Sequence, residues 1–221
     1  KVLGPEHPDT AVSISNLSRH YVLTGLYKKA EPLYLRALSI SEKVLGPEHP
    51  YTAIYLNNLA KFYVRKGLRR KAEPLYLRAL SINEKVLGPE HISNILSLHN
   101  LAYLYYSQGL DSKAEPLFIR ALTISEKVLG PEHPDTAKSL NNLALLYSGQ
   151  GKYSKAEPLI LRALSIREKV LGPEHPDTAV PISNLALLYS GQGKYSKAEP
   201  LYLRALSIGE KRLGPEHPDT A

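Results

Sequence analysis

Apolar residues recur along this chain at helical spacing, stop at a glycine, and resume. Leu140, Leu143, Ala144 and Tyr147 fall three, one and three residues apart, which places them on one helix face. Gly151 interrupts the pattern, and Ala156, Leu159, Ile160, Ala163, Leu164, Ile166 and Val170 resume it on a second, longer helix. The pair reads as a helical hairpin. Pro134 suits a first helical turn, where its missing N–H costs nothing, and Asp135 suits the positive end of the helix dipole. Ser154 and Glu157 have the spacing of a capping box for the second helix, with Pro158 near its first turn and a slight bend expected there.

The same hairpin is written five times. LGPEH recurs at Leu3, Leu45, Leu87, Leu129, Leu171 and Leu213, each 42 residues from the last, so the domain reads as a single array with repeats 11–52, 53–94, 95–136, 137–178 and 179–221. One hairpin cannot bury its own apolar face; stacked neighbours can. Alanine at 30, 72, 114, 156 and 198, and again at 37, 79, 121, 163 and 205, lets helices approach closely, and Tyr21, Tyr63, Tyr105, Tyr147 and Tyr189 fill between them. The fold expected is all-α, a right-handed α-solenoid superhelix of helix-turn-helix hairpins. Two repeats depart from the pattern. Ile92 and Ser93 replace Pro and Asp in the third, so its first helix is expected to begin late, capped by Ser93 or Asn94. Pro181 falls inside the expected first helix of the fifth, so that either Thr178 becomes the cap or the helix kinks there, and the later start is the one expected.

Leu143, Ala144, Tyr147, Gly151, Tyr153, Ala156, Ile160 and Ala163 together resemble the tetratricopeptide signature of large, small and aromatic residues at fixed offsets. The unit is similar in particular to the kinesin light chain branch of that family, which carries the same NNLALLY, GKY, AEPL, RAL and LGPEHPDTA phrases in units longer than the usual repeat. The added length here is LGPEHPDT itself.

On the first helix of each repeat the apolar arc fixes the opposite arc, at about 100° per residue, as the candidate groove. One column of that arc is always asparagine: Asn16, Asn58, Asn100, Asn142 and Asn184. Asparagine is an indifferent helix former, but its side chain offers an acceptor and a donor that pair with a peptide backbone. Pairing with a neighbouring helix or with water is the alternative use of the same groups. In tetratricopeptide proteins that resemble this one, concave-face asparagines at the matching position hold ligand backbones, and the resemblance implies that role here. The other columns vary. Arg19, Lys61 and Arg65 cluster in the first two repeats, with Lys66, Arg69, Arg70 and Lys71 just beyond, and Tyr103 and Tyr106 follow in the third. Cations beside aromatics suit an acidic peptide with an aromatic anchor, although a run of charge also serves as a plain solvated face. Kinesin light chains take cargo peptides of that kind, and the resemblance carries that expectation over by region. Leu145, Gly149, Leu187 and Gly191 make the last two repeats read as spacers.

Charge and composition narrow the remaining classes. The net charge is +7 with pI near 9.4, which favours acidic partners in general. RNA binding is the weaker reading, because the C-terminal half of the groove lacks a basic track for phosphates. No catalytic motif is present, so no enzyme is expected. Neither metal nor cofactor is expected: His7, His49, His91, His133, His175 and His217 fall one per repeat, whole hairpins apart, and are assigned to helix ends. The absence of cysteine is compatible with a reducing cytoplasm, and no apolar run is long enough to span a membrane. KVLGPEHPDTA opens the sequence and KRLGPEHPDTA closes it, so a piece of a longer array is expected. Its open ends suggest end-to-end self-association, and a structural spacer or the sensor arm of a multidomain protein is the alternative to a peptide-binding scaffold.

Overall fold

A computed structural model describes Gly4 and residues 6–213 of the chain, which divides into two compact units, Lys1–Leu110 and Asp111–Ala221. Unit 1 contains α1 (Pro8–Leu23), α2 (Tyr27–Val44), α3 (Pro50–Arg65), α4 (Arg69–Leu87) and α5 (Asn94–Tyr106). Unit 2 contains α6 (Asp111–Val128), α7 (Pro134–Gly149), α8 (Tyr153–Leu171), α9 (Pro176–Gly191) and α10 (Tyr195–Leu213). The described residues form no strand, and none of their helices is long and apolar enough to cross a membrane. The all-α repeat follows the predicted hairpins. The final GPEHPDTA, with His217, lies outside the described residues.

The repeated loop is a machine for starting helices. Its histidine is the N-cap: Nδ1 of His7, His49, His133 and His175 accepts the backbone N–H two residues on, at 3.1–3.2 Å, and the proline between them needs no partner. The threonine two residues after that proline closes the loop from the other side. Thr52, Thr136 and Thr178 donate to the carbonyls of Gly46, Gly130 and Gly172 at 2.9, 2.8 and 2.8 Å. In the third repeat Asn94 does the same work toward Gly88 at 2.8 Å, and α5 begins late, at Asn94, as expected. Ser93 stands at its N-cap without a side-chain bond.

Two expectations about helix starts fail. Pro181 does not delay α9, which begins at Pro176: His175 caps it, and the Thr178 hydroxyl, spent on Gly172, is not free to cap a later start. Nor does the capping box form. α8 begins at Tyr153 after Lys152, with no side-chain cap, because the Glu157 carboxylate is turned to the next repeat and accepts from Tyr189 at 2.8 Å.

That last contact recurs with the 42-residue period. The hydroxyls of Tyr63, Tyr105 and Tyr147 donate to Glu31, Glu73 and Glu115 at 3.1, 2.9 and 2.9 Å. Arg78, Arg162 and Arg204 likewise reach back to Glu42, Glu126 and Glu168 at 2.6, 2.5 and 2.7 Å. Between these links the alanines carry the close contact. Ala30, Ala37, Ala72 and Ala79 in unit 1, and Ala114, Ala121, Ala156 and Ala163 in unit 2, are wholly buried. Within unit 2, Ala137, Leu140, Ala163 and Ile166 form one such cluster, with Leu122 and Leu159 packed against it.

Burial, aided by the hydrogen bond to Glu73, pushes the Tyr105 hydroxyl up to about 12 from an ordinary 10.0. A raised folded value stabilises the protein fully below the unfolded value and loses that contribution as pH climbs through the folded one. Chemical denaturation at pH 9 and pH 11.5 should therefore show a stability loss that Tyr105→Phe makes smaller. An equal loss in the variant would contradict the assignment.

Candidate functional site

In unit 1 the side chains of α1, α2 and α3 enclose a cavity of about 260 Å³ lined by Asn16, Arg19, Asn58, Lys61 and Arg65 together with Ser15, Val22, Leu23, Tyr34 and Phe62. Five of the ten predicted site residues thus meet in one place. Helical spacing explains it: Asn16 and Arg19 lie three apart on α1, and Asn58, Lys61 and Arg65 lie three and four apart on α3. The floor is aromatic, with the Tyr34 and Phe62 ring centroids 5.5 Å apart. Burial raises the Tyr34 hydroxyl above its ordinary value while the positive charges of Arg19 and Arg65 pull it down, so both guanidinium groups act on the same floor. Among the described residues no carboxylate pairs with Arg19, Lys61 or Arg65.

The more distant part of the predicted basic patch is differently employed. The Lys66 ammonium sits 4.8 Å from the Tyr27 ring centroid and that of Lys71 5.2 Å from the Tyr63 centroid, so both cover rings. Arg69 and Arg70 line a separate cavity near Gly67 and Gln108. Tyr103 and Tyr106 stand together on α5 with centroids 6.4 Å apart, Tyr103 half out of the surface, but neither lines the basic cavity.

In the asparagine ladder Asn16 is exposed, and Asn58, Asn100, Asn142 and Asn184 are half-buried. Part of the alternative use is realised as well. Asn58 donates to the Ser15 hydroxyl at 3.3 Å and Asn184 to the Asn141 carbonyl at 3.4 Å, one repeat back in each case.

Unit 2 contains the counterpart of the basic cavity with other chemistry. Gly191 stands where unit 1 has Arg65, and the Tyr153 hydroxyl donates to its carbonyl at 3.1 Å. A Cβ on Gly191 would lie 2.9 Å from that hydroxyl, so the glycine is what admits the ring. The space left is about 110 Å³, lined mainly by Leu145, Ile160, Leu187 and Leu188.

A second kind of cavity opens where the first helices of successive repeats start. In unit 1 it is about 470 Å³ and walled by Tyr51, Ile54 and Leu96, with Asn57 and Asn83 behind them. In unit 2 it is about 510 Å³ and the matching positions are Asp135, Lys138, Val180, Asn141 and Arg167, each two periods further on. Sequence reading passed over Arg167, because it sits on a second helix. The available signal was its column: Ser41, Asn83, Ser125 and Gly209 are all small or neutral. Among the described residues no three His, Asp or Glu converge as metal ligands would, and the loop histidines are occupied as helix caps.

No curated protein matches the chain by sequence. Among solved structures, the kinesin light chain nearly identical TPR-like repeats of Podosopora anserina are 30% identical over 93% of this chain and 97% of that one, with a TM-score of 0.75. BtubC (BKLC) from P. vanneervenii is 28% identical over 96% of this chain and 84% of its own, with a TM-score of 0.79. A Rap protein complexed with Competence and Sporulation Factor shares the fold at 18% identity, over 90% of this chain and 53% of its own, with a TM-score of 0.74. The Tetratricopeptide repeat family matches residues 1–43, 20–85, 55–118, 94–169 and 150–211. With matches running through every hairpin described above, the chain belongs to the tetratricopeptide repeat family.

Proposed function

We propose that this chain is a protein-interaction scaffold that holds an extended peptide, acidic and carrying an aromatic residue, against the groove of unit 1. The observation that carries the reading is the meeting of Arg19, Lys61 and Arg65, without carboxylate partners among the described residues, over an aromatic floor in one cavity. Unpaired cations there favour carboxylates by charge, and a desolvated aromatic floor supplies contact area. The Asn58 amide that lines it and the Asn100 amide one repeat on offer donors and acceptors for a ligand backbone, with Tyr103 and Tyr106 as the aromatic wall further along. Tetratricopeptide repeats mediate protein–protein interaction, which supports the class of partner. We place the chain in a reducing, cytoplasmic setting, with which its lack of cysteine is compatible.

Panning the 221-residue chain against a random 12-mer peptide library should return sequences that combine Asp or Glu with an aromatic residue. Affinity for a selected peptide should fall steeply with added salt and by about tenfold or more in Arg19→Glu or Lys61→Glu, since a like charge replaces an attractive one. Recovery of neutral peptides whose affinity ignores both changes would contradict the reading. Replacing Asn58, Asn100 and Asn142 together by alanine should weaken the same peptide with helicity retained. Each hydrogen bond given up costs about 1 kcal/mol of stability, so the array stays folded. Unchanged affinity would remove the asparagines from the site.

A second reading has its own observation. The Tyr-to-Glu and Arg-to-Glu links run from each repeat to the one before it, which leaves Tyr21 and Arg36 in the first hairpin, and Glu199 and Glu210 on α10, without their counterparts among the described residues. A second copy of the chain offers the missing partners head to tail. Sedimentation velocity should show an average mass that rises with concentration and rises less in Arg36→Glu. A concentration-independent monomer would contradict self-association.

A further inference from the structure

The turn between α3 and α4 carries charge that the helix after it does not favour. Residues 66–71 read Lys, Gly, Leu, Arg, Arg, Lys, and α4 opens on Arg69 and Arg70 with no acidic residue in its first turn. Cations at the start of a helix oppose its dipole. The other repeats avoid the arginine pair: the same two positions hold Tyr27 and Lys28, Asp111 and Ser112, Tyr153 and Ser154, and Tyr195 and Ser196. The wider balance has the same sign. Fourteen of the 28 Lys and Arg, but only eight of the 21 Asp and Glu, fall in unit 1.

A ring is missing at the same place. Tyr27 holds this register in the first repeat and lays its ring 6.4 Å from that of Phe62 and 4.8 Å from the Lys66 ammonium, both one repeat on. In the fourth repeat the Tyr153 hydroxyl reaches the Gly191 carbonyl. Arg69 has no ring, and a cavity of about 410 Å³ stands between the turn and Gln108, the counterpart of Lys66. Gly67, Leu68, Arg69, Arg70 and Glu73 complete the lining. Both arginines and Gln108 are exposed, and among the described residues neither guanidinium pairs with a carboxylate. Glu73, the carboxylate of the lining, already accepts from the Tyr105 hydroxyl at 2.9 Å.

A phosphate monoester fits this lining better than a carboxylate does. One guanidinium fork takes up both oxygens of a carboxylate, whereas a phosphate presents three terminal oxygens and keeps an acceptor for the second arginine. Its second negative charge also roughly doubles the attraction to the four cations of the turn. We propose that the α3–α4 turn is a binding site for a phosphate monoester, held by Arg69 and Arg70 with Gln108 on the far wall. The site shares no residue with the cavity lined by Arg19, Lys61 and Arg65, and it stands independently of the peptide reading.

The probes are inorganic phosphate, phenyl phosphate and benzoate, each titrated into the full 221-residue chain at constant ionic strength while arginine Nε–H groups and backbone amides are followed by nitrogen-15 NMR. Both phosphates should move the Arg69 and Arg70 Nε–H resonances to saturation at pH 7.5, and benzoate should bind about tenfold more weakly. Tighter binding of phenyl phosphate than of inorganic phosphate assigns the group to an aromatic side chain entering the open ring space; equal binding assigns it to free phosphate. Lowering the pH to 5 protonates the dianion, whose second pKa is about 6, and should weaken binding severalfold. Arg69→Tyr combined with Arg70→Ser installs the pair that the fourth and fifth repeats carry, so the amide spectrum should stay dispersed while affinity falls at least tenfold. Unmoved Nε–H resonances, an equal response to benzoate, or full affinity in the double variant would overturn the proposal. Shifts centred on the Arg19 and Arg65 Nε–H groups would put the phosphate in the groove cavity and overturn the turn site while leaving the groove standing.

Discussion

Two side chains per repeat stop at Cβ, and the architecture depends on that. Ala30 and Ala37, and their counterparts through Ala156 and Ala163, are wholly buried where the second helix meets its neighbours. Any larger side chain at these points would have to displace a helix, and overpacking of this kind costs about 1–3 kcal/mol. Close contact at the alanines also sets the reach of everything around them. Only at that spacing do Tyr63, Tyr105, Tyr147 and Tyr189 place a hydroxyl on a glutamate of the preceding repeat, and Arg78, Arg162 and Arg204 a guanidinium on another. These polar links confer register more than energy, since exposed or half-exposed ion pairs contribute little.

A scaffold fixed by so few positions frees the others. Arg19, Lys61 and Arg65 line a basic cavity in unit 1, and Leu145, Leu187 and Gly191 hold the same register in unit 2, where the cavity is narrow and apolar and takes in the Tyr153 ring. Ile54 and Lys138 are related in the same way at the junction cavities. Recognition in such a molecule is carried by columns that vary, and the invariant columns hold them at known places. The asparagines are an invariant column that also links repeats: Asn58 and Asn184 each spend a donor on the preceding repeat.

The fold was legible because its signals are local and repeated. Helical spacing, the glycine break and a 42-residue period located every hairpin. The histidines were assigned to helix ends, and four of them cap as expected. The failures came where one side chain had two possible partners. Thr178 and Glu157 each fit a capping role by spacing, but a glycine carbonyl and a tyrosine one repeat away claim them instead. Sequence within a single hairpin cannot reveal such competition. The basic cavity was legible because Arg19, Lys61 and Arg65 stand on helix faces whose direction the apolar arc fixes. Arg167 was missed since it lies on the second helix, where no groove was sought, and only the column of smaller residues around it marks it out.

The central claim is that ligands enter the face carrying the asparagine column and are held first by the cations of unit 1. Side-chain and backbone nitrogen-15 spectra of the 221-residue chain, recorded with and without a library-selected acidic peptide, test it most directly. The account predicts that the largest shifts fall on the Arg19 and Arg65 Nε–H groups and the Asn58 side-chain amide. Shifts concentrated instead on the outward faces of α2 and α4, with those groups unmoved, would contradict it.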